Sequence, residues 1–526
     1  MGMMTIPLRR IVRRFTAYAE TVDRAPLPVL SRADWFIAGA VFIVSLVLLL
    51  PLAPDALPGG DAAVYAHQMR QADFGLRTIH LGYYLAGALF DRLTPLPPDY
   101  TINAMSVFFA ALGLALLTLI SRTVFGHRRP GVISCALLLS NYLFLGHAVL
   151  GEIYIVQTAF ALLAVLLWLR RRSHAAGAAL AAAFLVSPTA VLVVPGLAVL
   201  RPRLGPLVRL LAWPAAAGLL LLICVRQDYL YGPRGVLVMA ADYALPWAAV
   251  AAKEWRELFL GLYLALPLAV SGALGAVRAR GLPAAFLGSL AATGLAIALF
   301  GERTVNIPAQ LLSFALFTLF AGSGFVRLYR GEAGQRGEAA SVLAVGVVAA
   351  GAGAALSWKL SAVFGVVLLF QLIVAHVVRR ATSTRLCLVL VPLLLLLVLA
   401  GNGTKAGIYL GVVSDQALSF KARVLAARCN APSRSLAVGG WSRSVLFDHY
   451  VCGRPYGGSV IIGEGDDPGE QPQLRRAAGS GTEIWLLEPL PLVETWLGGR
   501  GYVIEPAHGF QRAYRPVSRN TSEANQ

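Results

Sequence analysis

The sequence predicts an α-helical polytopic membrane protein with about 13 transmembrane helices and a small C-terminal α/β extracytoplasmic domain. Of its 526 residues, 57% are hydrophobic and only 14% are charged, and the mean hydropathy is +0.68. An ordinary soluble domain carries about 25% charged residues. Stretches such as 35–53 and 282–301 contain no charged side chain and match the roughly 20 residues that cross a bilayer. This composition excludes a soluble enzyme.

The predicted spans are apolar runs separated by short polar segments. They cover residues 35–53, 101–121, 132–149, 153–169, 206–225, 258–277, 282–300, 307–326, 340–357, 361–378 and 386–401. A further apolar stretch, 178–200, contains Ser187-Pro188-Thr189. Proline removes a backbone donor and disfavours helix at the preceding residue. Because arginines flank both ends of this stretch, we expect a hairpin of two shorter helices, which brings the total to thirteen.

The basic residues predict how the chain is oriented. With segment 1–34 in the cytoplasm, the cytoplasmic segments hold 23 Arg and Lys against 5 Asp and Glu, whereas the outer loops before residue 402 hold 9 against 11. This is the bias of the positive-inside rule. The net charge of +18 therefore indicates orientation in an inner membrane and gives no support for a nucleic-acid partner. We expect no cleavable signal peptide, because the first apolar run begins at Trp35 and is longer than a signal core.

The domain boundaries follow from this topology: a basic N-terminal segment (1–34), a membrane domain (35–401) and an outer C-terminal domain (402–526). In the last, short apolar runs at 435–438, 459–462 and 483–487 predict buried strands. Its two cysteines are Cys429 and Cys452. An oxidising compartment permits a disulfide between them. Two buried thiols are the alternative, because spacing does not establish proximity.

The outer loop 54–100 is long for a connection between two spans, and long loops tend to be functional. Asp61 is a good N-cap for a helix in which Tyr65 and Met69 recur at helical spacing, as expected for a helix along the membrane surface. A second helix, over 80–93, is too short to span a bilayer and is predicted to lie at the interface.

Several motifs occur in the order that one known family shows. They are Gly60-Asp61 before the first loop helix, His80 with Tyr83 and Tyr84 in the second, and Gly151-Glu152-Ile153-Tyr154 at the start of a span. Together they resemble the GT-C class of membrane glycosyltransferases, and within it the polyprenyl-phosphate-sugar transferases, which include protein O-mannosyltransferases and aminoarabinose transferases. The resemblance implies a GT-C fold and inverting transfer of a sugar on the outer face of the inner membrane. The implied partners are a polyprenyl-phosphate sugar donor, the lipid bilayer, and a glycan, lipid or protein acceptor.

An inverting transfer needs one carboxylate to take the proton of the attacking acceptor. Asp61 is the candidate base, with a plain helix cap as the alternative role; Asp73 and Asp55 are the second and third candidates. Glu152 is predicted to bind substrate, because an isolated carboxylate at membrane depth is a functional hypothesis by default. Its alternative role is a hydrogen bond to loop backbone.

The negative charge of a departing phosphate is stabilised by cations and does not require a strong acid. The planar guanidinium group of arginine can donate two parallel hydrogen bonds to phosphate oxygens. Arg70, Arg77 and Arg303 are the candidate phosphate ligands, and Arg303 has an ion pair with Glu302 as its alternative role. The remaining predicted substrate-binding residues are Tyr65, His80 and Tyr83. No metal and no other cofactor is predicted, because His67 and His80 do not form a ligand set.

Two other functional classes remain as alternatives. A transporter or flippase of lipid-linked sugars usually has internal repeats and places polar groups at mid-membrane. This sequence has no clear repeat, and its polar residues concentrate on one face. A non-catalytic assembly factor that binds a partner through 402–526 is the third hypothesis; the turns at 439–442 and 463–466 complete neither a phosphate loop nor a serine elbow. The sequence leaves the sugar and the acceptor open.

Overall fold

The computed structural model describes most of the chain. The described residues are 27–54, 80–94, 96, 98–225, 261–297, 311–332, 336–354, 357–380, 384–429, 435–439, 452, 459–462 and 467–516, with Ala62, Tyr65, Ala66 and Met69. The chain divides into two units. Unit 1 comprises 1–52, 74–86 and 105–410, and unit 2 comprises 53–73, 87–104 and 411–526.

The first fifteen helices of the described residues follow one another from the N-terminal side to the start of the C-terminal region. They are α1 (Arg32–Leu49), α2 (Leu81–Leu93), α3 (Pro98–Phe125), α4 (Arg129–Leu139), α5 (Tyr142–Val149), α6 (Ile153–Leu169), α7 (Ser173–Val186), α8 (Val194–Leu200), α9 (Leu204–Val225), α10 (Leu266–Ala279), α11 (Gly281–Ala296), α12 (Leu311–Tyr329), α13 (Arg336–Ala354), α14 (Trp358–Arg380) and α15 (Thr384–Val424). The helix predicted over 80–93 is thus present as α2, and its location at the membrane interface stays a prediction.

Among the described residues, five helices are long and apolar enough to cross a membrane, and a bent pair is a sixth candidate. Large apolar side chains are exposed on these helices: Phe36 of α1 is 76% exposed, Leu219 of α9 is 62% exposed and Val366 of α14 is 68% exposed. Such surfaces are expected where helices contact lipid. The number of thirteen helices stays a prediction, because parts of several expected spans lie outside the described residues.

The predicted span 132–149 is broken in the structure. Helix α4 ends at Leu139, α5 begins at Tyr142, and the two axes differ by 76°. Asn141 stabilises the bend, because its side-chain oxygen accepts hydrogen bonds from the backbone of Leu143 at 2.9 Å and Phe144 at 3.1 Å. Its amide nitrogen donates to the carbonyl of Gly261. An N-cap of this kind starts a new helix in a new direction.

The predicted break at Ser187-Pro188 is confirmed. Helix α7 ends at Val186, a 3₁₀ turn covers Pro188–Val193, and α8 follows directly. Helix α8 then packs closely on α11, because a Cβ atom on Gly196 would lie 2.1 Å from the Thr293 hydroxyl. Only glycine permits this approach.

Helix α15 continues beyond the predicted end of the last span. The sequence places that end at residue 401 and the C-terminal domain from 402, whereas α15 extends unbroken to Val424. The segment Gly401-Asn402-Gly403 looks like a helix terminus because glycine disfavours helix interiors. In the structure Gly401 instead makes room for Leu264, whose Cδ1 would lie 2.5 Å from a Cβ atom at this position. The predicted boundary at 402 thus falls inside a helix.

The C-terminal part of unit 2 contains a five-stranded mixed sheet in the order β2-β1-β3-β5-β4. Its elements are β1 (Leu436–Gly439), β2 (Ser459–Ile461), α16 (Pro472–Gly479), β3 (Ile484–Leu486), α17 (Pro491–Gly498), β4 (Val503–Ala507) and β5 (Phe510–Tyr514). Strand β1 pairs in parallel with β2 and β3, while β5 is antiparallel to β3 and β4. Val438, Leu486 and Leu497 are buried in its core. The three strands predicted from apolar runs are confirmed.

Cys429 and Cys452 form a disulfide, with their Cα atoms 4.9 Å apart. We expect Cys429→Ser to lower the free energy of unfolding of the C-terminal region by about 3 kcal/mol, because the bond restricts the unfolded chain. Denaturant unfolding with and without reductant measures this difference.

Maleimide labelling of intact cells tests on which side of the membrane the C-terminal region lies. If the region faces an oxidising compartment, we expect Cys429 and Cys452 to react only after reduction. Labelling of these two thiols without reductant would contradict the outer placement.

Candidate functional site

Glu152 lies at the junction between two helices of unit 1. It follows α5, and it is the N-cap residue of α6 with an extended backbone. Its backbone N–H donates to the hydroxyl of Ser106 on α3 at 3.2 Å. The side chain is partly buried. The junction therefore holds a carboxylate at the end of an apolar helix.

Tyr83 on α2 lies beside this carboxylate. Its side chain is fully buried. Burial, and then the negative charge of Glu152, raise the pKa of the Tyr83 hydroxyl well above its ordinary value, while the neighbouring Ser106 hydroxyl acts in the opposite direction. A tyrosine with a raised pKa stays protonated at neutral pH. The Tyr83 hydroxyl therefore keeps its proton at neutral pH.

Two aromatic rings contact a lysine side chain in the same unit. The Lys405 ammonium on α15 lies 4.1 Å from the ring centroid of Tyr142 and 5.6 Å from that of Tyr263. Tyr409, one turn after Lys405, packs edge-to-face on Tyr142 with centroids 5.5 Å apart. We call Tyr142, Tyr263, Lys405 and Tyr409 the lysine cluster.

Glu152 and the lysine cluster belong to one region of unit 1. Helix α5 connects them, because it begins at Tyr142, whose ring packs on Tyr409, and Glu152 follows shortly after its last residue. Gly146 of α5 permits this arrangement, since a Cβ atom there would lie 2.9 Å from the Tyr409 ring. The region therefore combines a carboxylate, phenolic donors and an ammonium group held against aromatic faces.

Such a region suits an anionic ligand. Aromatic faces stabilise a partly desolvated ammonium group. An ammonium group in a medium of low dielectric attracts a phosphate more strongly than it does in water. The lysine cluster is the part that sequence reasoning missed, because Lys405 follows the predicted end of the last span. The polar run Asn402-Gly403-Thr404-Lys405, directly after an apolar segment, is the sequence pattern that could have indicated this site.

The structure places the other predicted site residues as follows. Tyr65 is helical and buried in unit 2, together with Ala62, Ala66 and Met69, at the spacing of one helix face. His80 is bound to backbone in unit 1, with its Nδ1 atom 2.8 Å from the carbonyl oxygen of Val186. Outside the described residues lie Asp61, Arg70, Arg77 and Arg303, and also Asp55, His67 and Asp73.

The described residues contain no group of three or more His, Cys, Asp or Glu side chains that could hold a metal ion. The sequence-based expectation of a metal-free site stays a prediction. The substrate-binding roles of Tyr65, His80 and Tyr83 stay predictions in the same way.

The fold is that of a known group of membrane enzymes. The crystal structure of ArnT from Cupriavidus metallidurans bound to undecaprenyl phosphate matches with a TM-score of 0.60 at 14% sequence identity, over 93% of this chain and 99% of that chain. The apo structure of the same protein gives a TM-score of 0.53 at 14% identity, over 97% and 98% of the two chains. This chain has the GT-C fold. The resemblance predicted from sequence is confirmed at the level of the fold.

The GT-C likeness extends over nearly the whole length of both chains. It is a structural likeness, since no family model matches the sequence and no curated protein matches it. At 14% identity, residue roles do not transfer from one chain to the other. The GT-C fold therefore provides the framework, and the geometry of Glu152 and the lysine cluster is the basis for their proposed roles.

Proposed function

We propose that this protein is a glycosyltransferase that moves a sugar from a polyprenyl-phosphate donor to a glycan, lipid or protein acceptor on the outer face of the inner membrane, with inversion. The observation that carries the proposal is the end-to-end match with ArnT, whose crystal structure contains undecaprenyl phosphate. The lysine cluster supports it independently, because it offers a cation to a lipid phosphate.

In this proposal Lys405 compensates the charge of the departing phosphate. As the bond between the anomeric carbon and the phosphate oxygen breaks, negative charge accumulates on the leaving group. A fixed cation in a water-poor site stabilises that charge without reorganisation. Tyr142 and Tyr263 hold the ammonium group in place through their ring faces. Arg70, Arg77 and Arg303 are proposed as further phosphate ligands.

Asp61 is proposed as the general base. It accepts the proton of the acceptor hydroxyl or amine as this group attacks the anomeric carbon. Glu152 and Tyr83 are proposed to orient the substrate, since a carboxylate next to a protonated tyrosine offers both an acceptor and a donor to sugar hydroxyls.

Reconstitution in proteoliposomes tests the proposed function. Radiolabelled undecaprenyl-phosphate sugars are supplied singly with cell-envelope acceptors, and labelled acceptor and free undecaprenyl phosphate are measured. We expect one donor to give both products in equal amounts. Movement of labelled donor across the bilayer, with no labelled acceptor, would instead support the transporter or flippase hypothesis.

We expect Glu152→Gln to lower kcat/KM for transfer by about tenfold to a hundredfold. Glutamine keeps the shape and the backbone hydrogen bond to Ser106, but it loses the charge that strengthens hydrogen bonds to substrate hydroxyls. Glu332→Gln is the matched control, because Glu332 is 52% exposed and pairs only weakly with Arg330 at 3.8 Å. If Glu152→Gln has the same kinetics as the parent, Glu152 does not bind substrate, and its role is the alternative one of a hydrogen bond to the loop backbone.

A further inference from the structure

Glu338 on α13 is a buried carboxylate that joins three helices of unit 1. The residue is 1% exposed. Its Oε1 atom accepts a hydrogen bond from the hydroxyl of Ser271 on α10 at 2.7 Å. Its Oε2 atom accepts from the guanidinium groups of Arg278 on α10 and of Arg327 on α12, the latter at 3.0 Å. We call Ser271, Arg278, Arg327 and Glu338 the carboxylate centre.

Gln371 on α14 lines a small cavity next to this centre. The residue is 4% exposed, and its Oε1 atom has no hydrogen-bond partner among the residues that the structure describes. Ser271 and Glu338 line the same cavity, and its other described lining residues are apolar or glycine. A buried amide oxygen without a partner destabilises a protein. The Gln371 oxygen therefore requires a hydrogen-bond donor from the cavity.

The size of the cavity limits what it can bind. It has about 20 Å³ of space for the centre of a water molecule. A buried cavity needs about 10–15 Å³ of such space to hold one water molecule. The cavity is therefore large enough for a water molecule and too small for a lipid headgroup or a sugar.

The chemistry of the wall selects a neutral hydrogen-bond donor. The carboxylate of Glu338 only accepts hydrogen bonds, and the Ser271 hydroxyl already donates its proton to it. An anion has no proton to donate to these oxygens. Two guanidinium groups and one carboxylate give the carboxylate centre a formal charge of +1, which disfavours a cation. Water is small, neutral and donates two hydrogen bonds.

We propose that one water molecule binds in this cavity and donates hydrogen bonds to the Gln371 Oε1 atom and to the Glu338 carboxylate. The Oε1 atom of Glu338 accepts one hydrogen bond, from Ser271, and keeps a lone pair for the water. A bridging water is enthalpically nearly as favourable as a direct hydrogen bond. The water connects α14 to the carboxylate centre, and hence to α10, α12 and α13. This site does not depend on the proposed transfer reaction.

A crystal structure of the full-length protein in lipidic cubic phase, at a resolution that shows ordered water, tests the proposal. We expect a water peak within about 3 Å of both the Gln371 Oε1 atom and a Glu338 oxygen. Gln371→Leu should lose this peak, because leucine has no acceptor. Ser361→Ala is the matched control: Ser361 is also buried on α14, its hydroxyl has no partner among the described residues, and it is not among those that line the cavity. This variant should keep the peak.

Thermal unfolding in detergent distinguishes a bridging water from a dry cavity. If the water bridges the two side chains, Gln371→Leu breaks the bridge and lowers the Tm by about 1–2 °C. If the cavity is dry, the same substitution removes an unpartnered oxygen and raises the Tm. A raised Tm, a parent structure with no water peak at this position, or a peak that persists in Gln371→Leu would each overturn the proposal.

Discussion

The Asp61→Asn variant is expected to transfer sugar about 10³-fold more slowly than the parent protein. Asparagine has nearly the same shape as aspartate, but it does not accept a proton from the attacking acceptor. The change therefore removes the proposed base and keeps the predicted helix N-cap, since asparagine caps helices as well as aspartate does. The measurement is the initial rate in proteoliposomes at saturating donor.

Asp73→Asn and Asp55→Asn are the matched controls for this experiment. In the predicted topology both residues lie in the same outer loop as Asp61, and both rank behind it as candidate bases. We expect each to retain a rate within about threefold of the parent, as a solvated carboxylate contributes little. A parent-like rate for Asp61→Asn would contradict the assignment of the base, and a large loss for Asp73→Asn would move that role to Asp73.

The Lys405→Ala variant is expected to lower kcat/KM by about 10²-fold and to weaken binding of undecaprenyl phosphate. Alanine removes the ammonium group that the rings of Tyr142 and Tyr263 hold, and no charge then compensates the departing phosphate at this position. Lys405→Arg should recover part of the loss, because it restores a cation. Transfer kinetics and lipid affinity are measured on the same preparations.

Lys359→Ala is the control for Lys405. Lys359 is an exposed lysine of unit 1 whose ammonium lies 5.9 Å from the ring centroid of Trp358, so it also contacts an aromatic ring. It lies outside the lysine cluster, and its replacement should leave transfer and lipid affinity unchanged. Equal effects of the two substitutions would mean that Lys405 acts only through the overall charge of the protein.

Local signals predicted much of the fold. The break at Ser187-Pro188 follows from the missing backbone donor of proline, and the strands β1, β2 and β3 follow from short apolar runs between turn residues. The bend between α4 and α5 has a different origin. It depends on a hydrogen bond from Asn141 to Gly261, which are 120 positions apart in the sequence. Such a contact leaves no periodic pattern in either segment.

Sequence motifs predicted one part of the candidate site and did not indicate the other. Glu152 and Tyr83 were identified from motifs, but their proximity depends on Ser106, which lies on a third helix. Lys405 was missed because the glycines at 401 and 403 indicate a helix end, whereas packing of Leu264 against Gly401 keeps the helix continuous. The base Asp61 and the arginine ligands lie outside the described residues and stay predictions.

A cryo-EM structure of the full-length protein with bound undecaprenyl phosphate would show whether Lys405 binds the lipid phosphate. We expect a phosphate oxygen within about 3 Å of the Lys405 Nζ atom, the distance of a charge-assisted hydrogen bond. A phosphate bound away from the lysine cluster, with Lys405 making no contact to it, would rule out the proposed role of this lysine.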